Sequence, residues 1–355
     1  MRRPRSFLTV AVTLSLAVAG LVLAPVASAA ATFTFSMDIN SSCVSGTGPA
    51  STAHTISLLS AGGDLLWRDW DTSDTYGNWY ACFDRPIVPG DKVRAATGSG
   101  SRTVTVPNLT ARANRVTDVV NGHAPAGAAL NIYVYHYTAL GGSSTSFVWG
   151  VFANGSGDYS FDFTPLVNAK GGDYGYTRYT SGSDTFEANF DFPYMEVARG
   201  SAEVSGALNY GQSATLTLKS STNAVRGTAL VVGDNGNGFD GAFTTAGGSS
   251  VRARMTDKVT GGFASDADIT IPDIAVSAVA STDVVSGQCM ANASYALYVR
   301  KNDYSDSDTR YGTTNASGQF SVDVTSTVNL ASRDWLSLTC RYPSGDRVGV
   351  ESRMS

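Results

Sequence analysis

The sequence predicts an all-β chain, four tandem β-sandwiches of about eighty residues each, behind an N-terminal export signal. Three observations carry this. Helical periodicity is absent beyond the N-terminal apolar stretch; short runs rich in β-branched and aromatic residues alternate with Gly, Asn, Asp, Ser and Pro; and a set of landmarks recurs along the chain.

The first thirty residues read as a secretory signal peptide. Arg2, Arg3 and Arg5 form the positive region, Phe7 to Leu23 the apolar one, and Ala27 and Ala29 offer small residues for cleavage. Ser6, Thr9, Thr13 and Ser15 dilute the run too much for a membrane anchor, no Cys follows the cleavage region to accept a lipid, and the arginine spacing is not that of a twin-arginine signal. Cleavage takes the basic residues from 25 to 22 against 30 acidic ones, a net charge of −8, which argues against nucleic acid as a partner. The C-terminal "GDRVGVESRMS" holds neither a sorting signal nor a span. The expectation is a bacterial protein that is secreted, extracellular or non-covalently surface-associated.

Val plus a polar residue plus Gly occurs as Val44-Ser45-Gly46, Val120-Asn121-Gly122, Val204-Ser205-Gly206 and Val285-Ser286-Gly287, the glycines 76, 84 and 81 residues apart. A second landmark is a turn opening an aromatic strand: "TYGNWYACF", "ANGSGDYSFDF", "GFDGAFTTA" and "NASGQFSVDV". Its glycines Gly77, Gly157, Gly241 and Gly318 lie 31, 35, 35 and 31 residues beyond the first. The third unit fits least well, because "GDNGNGFDG" lets that glycine slide by three positions. A third landmark is "PGDKVRA", matched by "GGDYGYT", "GSSVRAR" and "SRDWLSL", and Pro107, Pro193 and Pro272 close the first three units. The expected domains are 31–110, 111–196, 197–273 and 274–355 after the signal peptide 1–30. Six or seven short antiparallel strands per unit suit a small sandwich better than a continuous solenoid.

An entry strand ending V-x-G, a strand pair, the "ANGSGDYSF" turn into an aromatic strand, the "PGDKV" turn and a last strand resemble the bacterial immunoglobulin-like repeat domains of secreted and surface proteins. The resemblance implies four Greek-key, Ig-like sandwiches, a role in adhesion, spacing or ligand display, and no catalytic residue. Short Pro-marked junctions such as "VPNLTARA" imply a stiff, extended array.

Four cysteines in an exported chain read as disulfides. Of three possible connectivities, pairing of neighbours, Cys43 with Cys82 and Cys289 with Cys340, is the simplest, and no two lie close enough for a zinc site. Loops of this length contribute about 4 kcal/mol each on the chain-entropy model, so the expectation is a staple in each terminal unit.

"ANGSGDYSFDF" is the most site-like stretch. A phosphate cradle would run into a helix, whereas a strand follows. Neither Asn154, Asp158 and Asp162 nor "DNGNGFDG" nor "DYSDSD" follows the calcium-loop order, although calcium between domains is left open. Asn154-Gly155-Ser156 is also a glycosylation sequon. Recurrence in every unit favours a turn. His54, His123 and His136 stand apart, no G-x-S-x-G elbow precedes a helix, and the abundant Asp residues suit turns, so neither an enzyme nor a cofactor is expected. The stronger lead is "LNIYVYHYT". Alternation puts Leu130, Ile132 and Val134 on one face and Tyr133, Tyr135 and Tyr137 on the other, where Tyr174 and Tyr176 extend the stripe. Such a face suits an extracellular glycan or protein ligand, with a carbohydrate-binding role as the alternative to adhesion. Trp67, Trp70 and Trp79 form a second aromatic group, one of which is expected in the core.

Overall fold

The computed structural model describes residues 32–263 and 267–354, so the predicted signal peptide, with Ala27 and Ala29, lies outside the described residues. Over the described residues the chain is all-β, and the strands fall into four sets of seven. The first repeat has β1 (Thr34–Ile39), β2 (Cys43–Thr47), β3 (Ala53–Leu59), β4 (Leu65–Thr72), β5 (Asn78–Cys82), β6 (Lys92–Thr97) and β7 (Gly100–Thr105). The second has β8 (Thr110–Asn114), β9 (Val119–His123), β10 (Ala129–Tyr137), β11 (Ser144–Phe152), β12 (Asp158–Asp162), β13 (Tyr174–Ser181) and β14 (Asp184–Asp191). The third has β15 (Tyr194–Arg199), β16 (Glu203–Ala207), β17 (Ser213–Lys219), β18 (Val225–Val232), β19 (Gly238–Ala242), β20 (Lys258–Thr260) and β21 (Asp268–Thr270). The fourth has β22 (Ala275–Val279), β23 (Val284–Gln288), β24 (Ser294–Arg300), β25 (Ser307–Thr313), β26 (Gln319–Asp323), β27 (Trp335–Arg341) and β28 (Arg347–Arg353).

Each repeat is an immunoglobulin-like sandwich in which the first, second and fifth strands form one sheet and the fourth, third, sixth and seventh the other. The constant-type Ig order differs by placing its fourth strand with the first sheet.

The recurring glycine has a packing cause. Each V-x-G glycine lies opposite the aromatic of the fifth strand: Gly46 on Trp79, Gly122 on Tyr159, Gly206 on Phe239 and Gly287 on Phe320. A Cβ at Gly122 would sit 1.9 Å from the Thr110 carbonyl oxygen and 2.6 Å from the Tyr159 hydroxyl, and the other three are equally closed. Trp79 is the core tryptophan, at 2% exposure against 39% for Trp67 and 69% for Trp70.

Two landmarks in the third repeat fall elsewhere than expected. The turn before β19 places Asn237 (φ +58°) where the other repeats have Gly77, Gly157 and Gly318, so Gly241 is not the equivalent glycine. Asn tolerates the left-handed conformation, which hid the position. The counterpart of "PGDKV" is "TDKVT", whose buried Asp257 accepts the Arg254 amide as Asp91, Asp173 and Asp334 accept those of Val88, Lys170 and Ala331. "GSSVRAR" precedes it. Two expected boundaries also cut strands: 110/111 falls in β8 and 196/197 in β15.

The repeats are not independent. β1 pairs in parallel with β14, fusing the first repeat's three-stranded sheet to the second's four-stranded sheet as β11-β10-β13-β14-β1-β2-β5. β15 pairs with β28 in the same way, giving β19-β16-β15-β28-β27-β24-β25. The buried apolar residues divide accordingly into two clusters, Phe33 to Phe192 and Met195 to Met354. Odd and even repeats therefore lie edge to edge in twos, and are not joined solely end to end as the short junctions suggest. Each seam is pinned alike. Asp184 accepts the Phe35 amide at 3.0 Å and binds Arg102 through both oxygens, while Arg102 also donates to the Phe33 carbonyl. Asp346 accepts the Met195 amide at 2.9 Å and binds Arg115, which donates to the Pro193 carbonyl.

Both disulfides pair neighbours, Cys43 with Cys82 across β2 and β5, and Cys289 with Cys340 across the fourth sandwich.

Candidate ligand face

The outer face of the first fused sheet gathers the five predicted tyrosines. In β10 the aliphatic side chains of Leu130, Ile132 and Val134 go to the core, which turns Tyr133, Tyr135 and Tyr137 outward. The register then sets Tyr176 beside Tyr133 and Tyr174 beside Tyr135. The rings interleave in the order Tyr137, Tyr174, Tyr135, Tyr176, Tyr133, with centroid separations of 5.9, 5.1, 6.3 and 4.5 Å. The Arg178 guanidinium closes the ladder, 4.9 Å from the Tyr133 ring and 5.2 Å from that of Tyr176. Each such ring contact is worth about 0.5–1.5 kcal/mol beyond its area, so the ladder holds its own geometry before any ligand arrives.

Polar groups flank the rings. Glu187 binds Arg178 at 2.6 Å, Asn189 lies opposite Tyr176 and Asp191 opposite Tyr174 on β14, and Val148 and Ser146 lie opposite Tyr133 and Tyr135 on β11. The face continues across the seam, where Asp38 is the parallel neighbour of Glu187, and on to Ser45 and the exposed Tyr80. Burial raises the Glu187 carboxyl above its ordinary range, Arg178 opposes this, and the adjacent Asp38 carboxyl adds to it. Burial also pushes Asp191 up to about 6, against a hydrogen bond from Asn237. The Tyr174 phenol is pushed up to about 12 by its hydrogen bond with Tyr137 and by burial, and that of Tyr176 to about 12 by burial and its bond with Tyr135. Near neutrality Tyr174 and Tyr176 thus present uncharged hydroxyls beside acidic groups.

Arg178 and Asn189 follow the same alternation as the tyrosines and are readable from it. Asp38 is not, because only the parallel seam brings it within reach from 149 residues away.

The other candidates do not join this face. "ANGSGDYSFDF" is a turn in which the Asn154 side-chain oxygen accepts the Ser156 and Asp158 amides, both at 2.9 Å, and Gly157 takes φ +94°. Asp74, Asp234 and Asn315 do the same in the other repeats. His54 is buried against Phe33 and Trp79, His123 meets Asp158 at 3.3 Å, and His136 meets the buried Asp173 at 2.6 Å. Among the described residues no group of three or more His, Cys, Asp or Glu is placed to hold a metal ion, and no helix is long and apolar enough to cross a membrane.

No family model and no curated protein matches the chain. Among solved structures it is similar to a tetra-tandem repeat in the extending region of a large adhesion protein (14% identity, covering 91% of this chain and 100% of that one, TM-score 0.18). It is also similar to the FN1–FN3 domains of chicken CNTN1 (8% identity, 91% and 99%, TM-score 0.21) and to the BSP domain of a biofilm associated protein (8% identity, 92% and 96%, TM-score 0.20).

Proposed function

We propose that the chain is a secreted, non-enzymatic binding protein whose sandwiches display the tyrosine ladder to a macromolecular ligand outside the cell. The single observation behind this reading is the unbroken ladder, five tyrosines and Arg178 on one rigid sheet, beside Ser, Asn and acidic side chains. Tyr with Ser and Asn is the composition of adaptable protein-binding surfaces, where Tyr supplies large contact area at low entropic cost. The disulfides fit an oxidising compartment.

The ladder favours a protein surface over a sugar chain. Sugar stacking needs open ring faces, and here the faces are turned to one another, leaving ring edges and hydroxyls outward. Surface plasmon resonance against a panel of purified extracellular proteins and polysaccharides tests both readings. The expected result is binding to a protein that the Tyr133→Ala/Tyr135→Ala/Tyr137→Ala variant weakens at least about tenfold, with a Trp67→Ala/Trp70→Ala variant unaffected. Equal binding by the triple tyrosine variant would remove the ladder from the account, and binding to polysaccharide alone would restore the carbohydrate reading.

A further inference from the structure

We infer that β11 is a self-association edge, on which a second copy of this chain pairs its own β11 antiparallel about a two-fold axis through Val148. An open sheet edge is a template for another strand, and proteins cover such edges or place charge on them. Three of the four equivalent strands are treated in this way. β4 carries Arg68, Asp69 and Asp71. β18 exchanges two 2.9 Å backbone hydrogen bonds with Thr244 on its open side, and β25 carries Asp308 and Arg310. The opposite edge of the ladder sheet is plugged as well, since Asp71 accepts the Tyr80 amide and Asp69 the Cys82 amide of β5.

β11 is the exception. It is nine residues long, "STSFVWGVF", without a charge, and among the described residues none of these devices covers it. Val148, Trp149 and Phe152 stand 51, 45 and 74% exposed.

The backbone selects the register. The Ala153 amide donates to the Ala128 carbonyl at 3.0 Å, in line with the β10–β11 pairing. In an antiparallel ladder, residues whose amides face one neighbour alternate with residues whose amides face the other. Residues 145, 147, 149 and 151 therefore bond β10, and the amides and carbonyls of Ser146, Val148, Gly150 and Phe152 face the open edge. Two copies centred on Val148 bring these same groups together: Val148 opposite Val148, Ser146 opposite Gly150, Ser144 opposite Phe152. On the core side Phe147 meets Trp149, an aromatic pair formed twice by the symmetry. No like charges meet, and the chain already joins its own repeats by sheet-edge pairing at β1/β14 and β15/β28. The two seven-stranded sheets would become one of fourteen strands, with the two tyrosine ladders on it related by the two-fold.

Sedimentation velocity of the mature chain over a range of micromolar concentrations tests this. The expected result is a monomer–dimer equilibrium, with Val148→Lys raising the dissociation constant at least about tenfold by setting two ammonium groups opposite each other. Leu230→Lys on β18, a still more exposed site at 73%, is expected to leave it unchanged, and far-UV circular dichroism checks that both variants are folded. Val148→Pro provides a second break, since it removes an amide that faces the open edge and leaves the β10 ladder intact. A wild-type chain that stays monomeric throughout, or a dimer indifferent to both Val148 variants, would overturn the inference.

Discussion

Arg115 and Asp346 lie 231 residues apart in sequence and form a fully buried bidentate pair at 2.9 and 2.7 Å. Asp346 immediately precedes β28 and anchors β15, so the pair fastens the seam of the third and fourth repeats to the second. The first seam uses the same device with an arginine from another place, Arg102 of β7. The constant element is an aspartate at the start of an even repeat's last strand, accepting the amide of an odd repeat's first strand.

Removing Arg115 leaves a buried carboxylate without its main partner. Arg115→Ala is expected to cost about 3–5 kcal/mol, measured by urea unfolding. Arg102 is 37% exposed, so Arg102→Ala is expected to cost closer to about 1 kcal/mol. Equal losses would mean that burial is not what distinguishes the two seams.

Each disulfide lies within one terminal repeat, as expected, but that repeat shares its hydrophobic cluster with a neighbour, so removal of the disulfide is expected to be felt by the pair. Cys43→Ser/Cys82→Ser is expected to destabilise residues 32–192 as one unit by about 4 kcal/mol, with residues 195–354 unaffected. Hydrogen-exchange mass spectrometry checks this. Loss of protection confined to the first repeat would contradict the shared core.

Glycines that look alike in sequence should differ sharply. Gly122→Ala drives a methyl group into the Thr110 carbonyl and Tyr159, and is expected to cost at least about 2 kcal/mol in thermal unfolding. Gly155→Ala, in the conspicuous "ANGSG" stretch, meets nothing within 4 Å and is expected to stay within about 0.5 kcal/mol of wild type.

Asp191 gives the ladder face a pH dependence. Its folded value of about 6 lies above the unfolded value of about 3.9. The folded chain therefore binds more protons between these values, and this group's favourable contribution, full below about pH 4, is lost as pH rises through 6. Asp191→Asn is expected to flatten that segment of the stability–pH curve. An unchanged slope would show that Asp191 does not titrate there.

The sandwich fold was legible because its cause is local. A V-x-G glycine exists to admit an aromatic ring of the fifth strand, so both recur together, and the tyrosine stripe follows from the alternation Leu130, Ile132, Val134. In the third repeat Asn237 adopts the conformation glycine takes elsewhere, which erased the landmark. The seams were illegible for a different reason. Parallel pairing of Asp38 with Glu187 or of Val197 with Val348 has no turn or spacing to announce it, and the same strand pattern fits an unpaired edge. Arg115 and Asp346 likewise read as ordinary loop charges until the fold buries them.

Hydroxyl-radical footprinting of the chain, with and without the protein ligand found in the binding panel, shows whether the ladder is the binding surface. Tyr76, Tyr304 and Tyr311, 56–85% exposed, serve as internal references on the same molecule. Tyr135, Tyr137, Tyr174 and Tyr176 are expected to lose reactivity on binding while Tyr76, Tyr304 and Tyr311 keep theirs. Protection at Trp67 and Trp70, with the ladder tyrosines unchanged, would contradict this.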